Sequence, residues 1–339
     1  MPFQRSSLNL RRKVSLKACS AGLFAIATMA LVTVPVAAQQ AGSTPAQPAA
    51  DWFPSKWGAG DEKGAANYMT PQRVAEAAKL VKTGKVYELG ITVTTQTPAF
   101  PPRGCDLYVV QPGQQAGGSL GPNKTTYNDD ILNCWVGIGS QLDGLGHLGI
   151  DNVYYNGHQA KDFAQPTGLT KLGIETVPAM VARGVLLDMA AYMGAPVLKE
   201  GTAYNREQIE GAAKKQGVEI REGDVVIFHS GWLSLIESDP KRYGSVEPGL
   251  GKDGALYLAS KNVMAVGADT WGVEVLPFEA GVGVFEVHQI LLAKNGIFIL
   301  ENMNTAALAK DKVYEFMFVL GHNKYKGAVQ SMINPVAIN

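Results

Sequence analysis

From about residue 170 to the C-terminus, short runs of branched apolar residues alternate with segments of helical period. Residues 184–188, 224–229, 263–267, 297–300 and 313–319 read as strands. Residues 205–217, 255–261 and 284–293 read as helices between them. Asn205 followed three residues later by Gln208 is a capping box, and Gly217 supplies the stop. A chain of this pattern can build neither a helical bundle nor an all-β sandwich. It buries its strands in a largely parallel sheet covered by the helices, an α/β architecture. Upstream, Thr70-Pro71 opens a helix whose inner face is Val74, Ala77, Ala78 and Val81, with Gly84 closing it. Residues 86–93 read as a strand. Residues 97–130 are rich in Gly, Pro, Asn and Gln and read as a long loop or hairpin region, the kind that often builds a site.

The N-terminus belongs to a different kind of segment. Residues 1–38 carry Arg5, Arg11, Arg12, Lys13 and Lys17, no acidic residue, and then an apolar run from Ala18 to Val36 that ends in small residues. That order is a secretory signal peptide, expected to be cut after Ala38. Arg11-Arg12 hints at the twin-arginine route. Residues 39–51 read as a disordered Ala/Gln/Pro leader, and one domain is expected over 52–339. The whole chain holds 30 basic and 30 acidic residues. Removing the signal takes five basic residues and leaves 25 against 30, a net charge of −5. With 46% hydrophobic and 18% charged residues over 339 positions, the chain is neither disordered nor built for nucleic acid. The expected location is periplasmic or secreted, with no stable membrane association after cleavage. There Cys105 and Cys134 are free to pair, and two unpaired buried thiols are the equal alternative.

Five histidines are available to carry chemistry: His147, His158, His229, His288 and His322. In Gly137-Ile-Gly-Ser-Gln141-Leu-Asp143-Gly-Leu-Gly-His147, Gln141 and Asp143 leave the same face of an extended segment while Leu142 enters the core. Gly144 and Gly146 would let backbone approach a ligand or ion. His147 follows on a tight loop. Downstream, His288 sits on a helix and Glu301 ends an apolar strand, where ligands bind in parallel α/β sheets. A carboxamide, two carboxylates and imidazoles suit a divalent metal or proton transfer. His229 and Asp269 stand at strand ends and are read as weak substrate contacts, a structural turn being the equal alternative for Asp269; Trp271 and Phe278 read as pocket aromatics or, more commonly for such residues, as aromatic core. His158 and His322 read as solvated or core-satisfied. No phosphate-binding glycine loop occurs.

These segments resemble the cyclase family of metal-dependent hydrolases, which includes kynurenine formamidase, isatin hydrolase and the longer trans-dienelactone hydrolase-like members. The family pattern is His-x-Gly-Thr-His-x-Asp-x-Pro-x-His, then a distant His and Glu. Gly139-Ser140, Asp143, His147, His288 and Glu301 match it. Gly137, Gln141 and Leu145 stand where the pattern has His, His and Pro. Residues 56–67, 154–157, 182–188, 228–232 and 267–270 read like the longer members. The resemblance implies a swivelling β/β/α-type fold with a mixed sheet and flanking helices, and a homo-oligomer, dimer or tetramer. It implies one divalent ion, zinc in preference to manganese, held by Gln141, Asp143, His288 and Glu301. His147 would be the catalytic base. The implied activity is opening of a lactone or cyclic amide, or cleavage of an aryl formamide. The rival class is a non-catalytic periplasmic small-molecule binder on the same fold. A third reading is a metal-independent hydrolase or lyase built on His147 and Asp143.

Overall fold

A computed structural model describes residues 51–110 and 118–339. The expected signal peptide and nearly all of the leader lie outside the described residues. Among the described residues, no helix is long and apolar enough to cross a membrane.

Eleven of the strands among the described residues organise the fold. They are β1 (Val86–Glu88), β2 (Cys105–Val110), β3 (Asp129–Cys134), β4 (Gln141–Asp143), β5 (Met180–Asp188), β6 (Val225–His229), β7 (Ala265–Ala268), β8 (Phe298–Glu301), β9 (Glu315–Leu320), β10 (Gln330–Met332) and β11 (Val336–Ile338). Nine form one mixed sheet in the order β1-β11-β9-β5-β6-β7-β8-β4-β10. The central four, β5 to β8, run parallel, and the flanking strands are antiparallel. Val225, Val226, Ile227 and Phe228 in β6, and Phe298, Ile299 and Leu300 in β8, are fully buried. Such near-continuous apolar runs mark strands covered on both faces. Because these four strands are parallel, Asp188, His229, Asp269 and Glu301 all emerge at one edge of the sheet.

The helices follow their sequence signals. Thr70 caps α1 (Pro71–Ala78), accepting the Arg73 N–H. The helix stops at Ala78 instead of running to Gly84, because Leu80 and Val81 donate to Ala77 and Ala78, i→i−3 bonds that tighten the chain into turns. Val81 is left 39% exposed, off the inner face expected for it. The capping box of Asn205 and Gln208 opens α2 (Arg206–Gln216), and Gly217 ends it with φ 72°. Next come α3 (Lys252–Ser260) and α4 (Glu286–His288), whose axis continues as π-helical turns over Gln289–Lys294. β1 is shorter than expected. After Glu88 the backbone leaves the ladder, and Ile91 N–H donates to the Ser140 hydroxyl. β2 and β3 pair as an antiparallel hairpin that begins inside the expected loop or hairpin region of 97–130 and runs four residues past it, joined by a Cys105–Cys134 disulfide.

Candidate metal centre

The centre is built where β4 lies between β8 and β10. Leu142 is fully buried, and Gln141 and Asp143 point to the opposite face together. The antiparallel register sets Gln141 beside Glu301. β10 lies on the other flank and contributes Gln330, whose Nε2 donates to Asp143 Oδ1 at 2.6 Å. Past Glu301 the chain turns at Asn302 (φ 54°), which Tyr243, Ser140 and Gly139 hold through hydrogen bonds. That brace fixes where Glu301 points.

His288 comes from the opposite layer. Its Nδ1 meets Glu274 Oε1 at 2.5 Å, and its Nε2 faces Glu301 Oε1 at 3.3 Å. Glu274 also accepts the backbone N–H groups of Val287 and His288, capping the short helix that carries the imidazole. Ligand atoms of Asp143, His288 and Glu301 all lie within 4.8 Å of one another, and all three residues are buried. Asp143 Oδ2 is buried with no hydrogen-bond partner. An unpaired carboxylate oxygen in a dry site is costly. Here it faces a second carboxylate and one imidazole nitrogen. A divalent cation would satisfy all of them, so the donor set fits a metal ion.

The electrostatics point the same way. Burial pushes the Glu301 carboxyl up to about 7, helped by the neighbouring charge of Asp143. Burial pushes His288 down, but hydrogen bonds to Glu274 and Glu301 more than offset it and hold the imidazole up at about 10. His147 sits on the loop after β4, with Nε2 3.9 Å from Asp143 Oδ2. Burial lowers its pKa, with His288 and Arg103 adding to the effect and Asp143 opposing it. A neutral imidazole beside the cluster can accept a proton.

Gln141, His147, His288, Glu301 and Trp271 therefore meet around one cavity, of about 180 Å³, that Phe100, Arg103 and Phe285 also line, and Asp143 is buried within ligand distance of His288 and Glu301. Three expectations change. Gln141 does not turn its carbonyl oxygen to the cluster; its Nε2 donates to Glu301 at 2.6 Å and to Asp143 at 3.3 Å, so the amide bridges two carboxylates. His229 and Asp269 line a separate cavity with Leu233, Asn304 and Thr305. There His229 Nδ1 contacts Thr305 Oγ1 at 2.7 Å, and Asp269 accepts from Ser230 and Gly231, which fixes the β6 end. Gly144 and Gly146 make room for protein atoms: an added Cβ would meet Val329 O at 2.6 Å and Leu169 Cδ1 at 2.5 Å. Glu274 and Gln330 gave no sequence signal, because their roles arise only when distant segments fold against the cluster. Arg103 lay inside the Gly/Pro-rich stretch that pointed to a site without naming its residues.

The sequence profile of the cyclase family matches residues 87–275. The chain belongs to the cyclase family. A solved structure of a novel cyclase shares 30% identity, with a TM-score of 0.76, covering 84% of this chain and 98% of its own. Isatin hydrolase A from Ralstonia solanacearum shares 16% identity at a TM-score of 0.57, covering 75% of this chain and 92% of its own. Isatin hydrolase A from Labrenzia aggregata, bound to benzyl benzoate, shares 18% at 0.57, covering 78% and 97%. No curated protein sequence matches. The cyclase-family fold is thus the mixed sheet with flanking helices described above. In this cyclase the positions of two pattern histidines hold Gly137 and Gln141, and the carboxylate–imidazole cluster is built without them.

Proposed function

We propose that this chain is a metal-dependent hydrolase that opens a lactone or cyclic amide or cleaves an aryl formamide. The observation that carries the reading is the buried Asp143–His288–Glu301 cluster with an unpartnered Asp143 oxygen, beside a neutral His147. The hydrolases among the structural neighbours are consistent with it. Asp143, His288 and Glu301 would hold one divalent ion, zinc in preference to manganese. Such an ion supplies Lewis-acid activation of water and of the substrate carbonyl. The remaining work falls to the side chains. Glu274 holds the His288 tautomer that presents Nε2 to the cluster. His147 takes a proton at a ring nitrogen, and Asp143, 3.9 Å away, stabilises the imidazolium. The proton is then returned to the leaving oxygen or nitrogen. Water is added across the acyl bond, giving a carboxylate and an alcohol or amine. Phe100, Trp271 and Phe285 give the cavity an aromatic wall.

Two measurements test this. Purified protein should take up about one equivalent of Zn²⁺ or Mn²⁺ per chain, and exhaustive chelation should abolish hydrolysis in a panel of lactones, cyclic amides and formamides. His147→Ala should keep the metal and lose roughly 10²–10⁴-fold in rate. Full activity after chelation overturns the reading. An intact protein that refuses both metals favours the binding-protein alternative.

The same proposal places the enzyme in an exported compartment, supported by the basic-apolar-small order of residues 1–38 and by the Cys105–Cys134 disulfide. It also makes the protein a homo-oligomer. The β2–β3 hairpin leaves Leu107, Tyr108, Ile131, Leu132 and Trp135 each more than half exposed, an apolar surface suited to a second copy.

A further inference from the structure

The parallel strands carry a second set of polar groups that the metal centre does not use. β5 ends in Asp188, β6 ends in His229, and Asp269 follows β7 directly. At this edge of the sheet lie two hollows, of about 420 and about 460 Å³, which share Pro196, His229 and Ala306 as a common wall. Each falls in the range of about 300–1,000 Å³ in which proteins hold small organic molecules. The cavity beside the metal cluster, at about 180 Å³, is much smaller. Asn304 and Thr305, three and four residues beyond Glu301, line the first of the two hollows and belong to neither cluster nor metal cavity.

His229 faces this space with one ring nitrogen already engaged. Its Nδ1 is turned to Thr305 Oγ1 at 2.7 Å and to Asp269 Oδ2 at 3.3 Å. Asp269 is itself anchored: Oδ1 accepts the Ser230 N–H and hydroxyl, and Oδ2 accepts the Gly231 N–H. An imidazole oriented at one nitrogen by a fixed carboxylate offers the other nitrogen to a ligand. Nε2 has no hydrogen-bond partner among the described residues. Burial pushes the His229 pKa down, but Asp269 and Asp188 more than offset it, so the ring takes a second proton readily. Asp188, on the other side, is occupied in accepting the Ala191 N–H.

We propose that the His229 cavity is a second ligand site, separate from the metal centre, and that it binds a small aliphatic carboxylate. The charge follows from the dyad. A protonated imidazole held from behind by Asp269 donates from Nε2, and a carboxylate makes the stronger, charge-assisted bond to it than a neutral acceptor does. Lys310 lines the outer hollow and adds a second positive group. The carbon skeleton follows from the wall. Ala190, Ala195, Pro196, Leu233 and Ala306 line the two hollows, and among the described residues no Phe, Tyr or Trp does. Short aliphatic side chains bury an alkyl chain and offer no ring to stack on. The site stands independently of the hydrolase reading, since none of the groups that form it belongs to the metal cluster.

Pentanoate and pentanamide, alike in shape and different in charge, are the probes. Their affinities are measured by calorimetry on zinc-loaded and on chelated protein, for wild type and His229→Gln. Wild type should favour pentanoate by at least ~10-fold, equally with and without zinc, and His229→Gln should bind the two about equally. A preference that disappears on chelation places the carboxylate on the metal and overturns the proposal. A preference that survives His229→Gln places it at some other cation and does the same. So does wild-type protein that binds neither probe or binds both alike. If His229→Gln fails to fold, Ala306→Leu serves, because it fills the wall shared by the two hollows and leaves the dyad in place. It should weaken pentanoate at least ~10-fold, and an unchanged affinity overturns the proposal.

Discussion

Glu274 shows how much of the centre depends on a residue that touches neither water nor the outer surface. It accepts the His288 ring N–H and two backbone N–H groups, so it sets both the tautomer and the position of the imidazole. Glu274→Gln keeps the shape but weakens the charge-assisted bond. Metal affinity should fall by roughly 10- to 100-fold. Competition with a chromophoric chelator reads this directly, and an unchanged affinity would show that Glu274 is not an orienting group. His229 and Asp269 offer a second test at the other cavity. Burial pushes the His229 pKa down, but the Asp269 carboxylate more than offsets it and the net shift is upward. In Asp269→Asn the titration followed by NMR should move to lower pH. A raised folded-state pKa contributes stability that is complete below the unfolded value of about 6.5 and is lost as pH rises through the folded value. The stability gap between wild type and variant should therefore narrow across that window in denaturant melts. A gap independent of pH would leave only the backbone bonds from Ser230 and Gly231 as the role of Asp269.

At the scale of elements, the β2–β3 hairpin stands out because both strands are almost wholly exposed. An isolated two-stranded hairpin is marginal in water. The Cys105–Cys134 bond spans 29 residues, a loop for which chain entropy gives roughly 3–4 kcal/mol of stabilisation. Replacing both cysteines with serine should accelerate amide exchange across Asp106–Val110, and equal protection in the two proteins would count against this. The hairpin also marks where sequence reading loses its grip. β6 and β8 were legible because buried parallel strands are nearly all apolar, and α2 because its capping box and terminal glycine are local signals. Gln141 and Asp143 were legible because a two-residue period puts them on one face. β1, three residues long, was over-read because residues 86–93 are equally suited to a strand, and only the distant Ser140 hydroxyl draws Ile91 away. Glu274, Gln330 and Arg103 were illegible for a related reason. Each reaches the cluster from a segment whose own pattern says nothing of it.

For the whole molecule, the four parallel strands deliver polar residues to one edge, and the sheet splits them into two neighbouring cavities. Glu301 serves the metal cluster, while His229 and Asp269 serve the other. The N-terminal segment gives the prediction at this scale. Protein recovered from an export-competent host should begin at Gln39, as N-terminal sequencing would show. An intact mass that retains residues 1–38 would contradict it. The disulfide then acquires a meaning in time. A thiol pair does not stay oxidised where the chain is made. If the chain is exported as proposed, the Cys105–Cys134 bond closes only after translation, so the hairpin that follows the turn bearing Phe100 and Arg103 is fastened later than β4, β8 and the His288 helix are made.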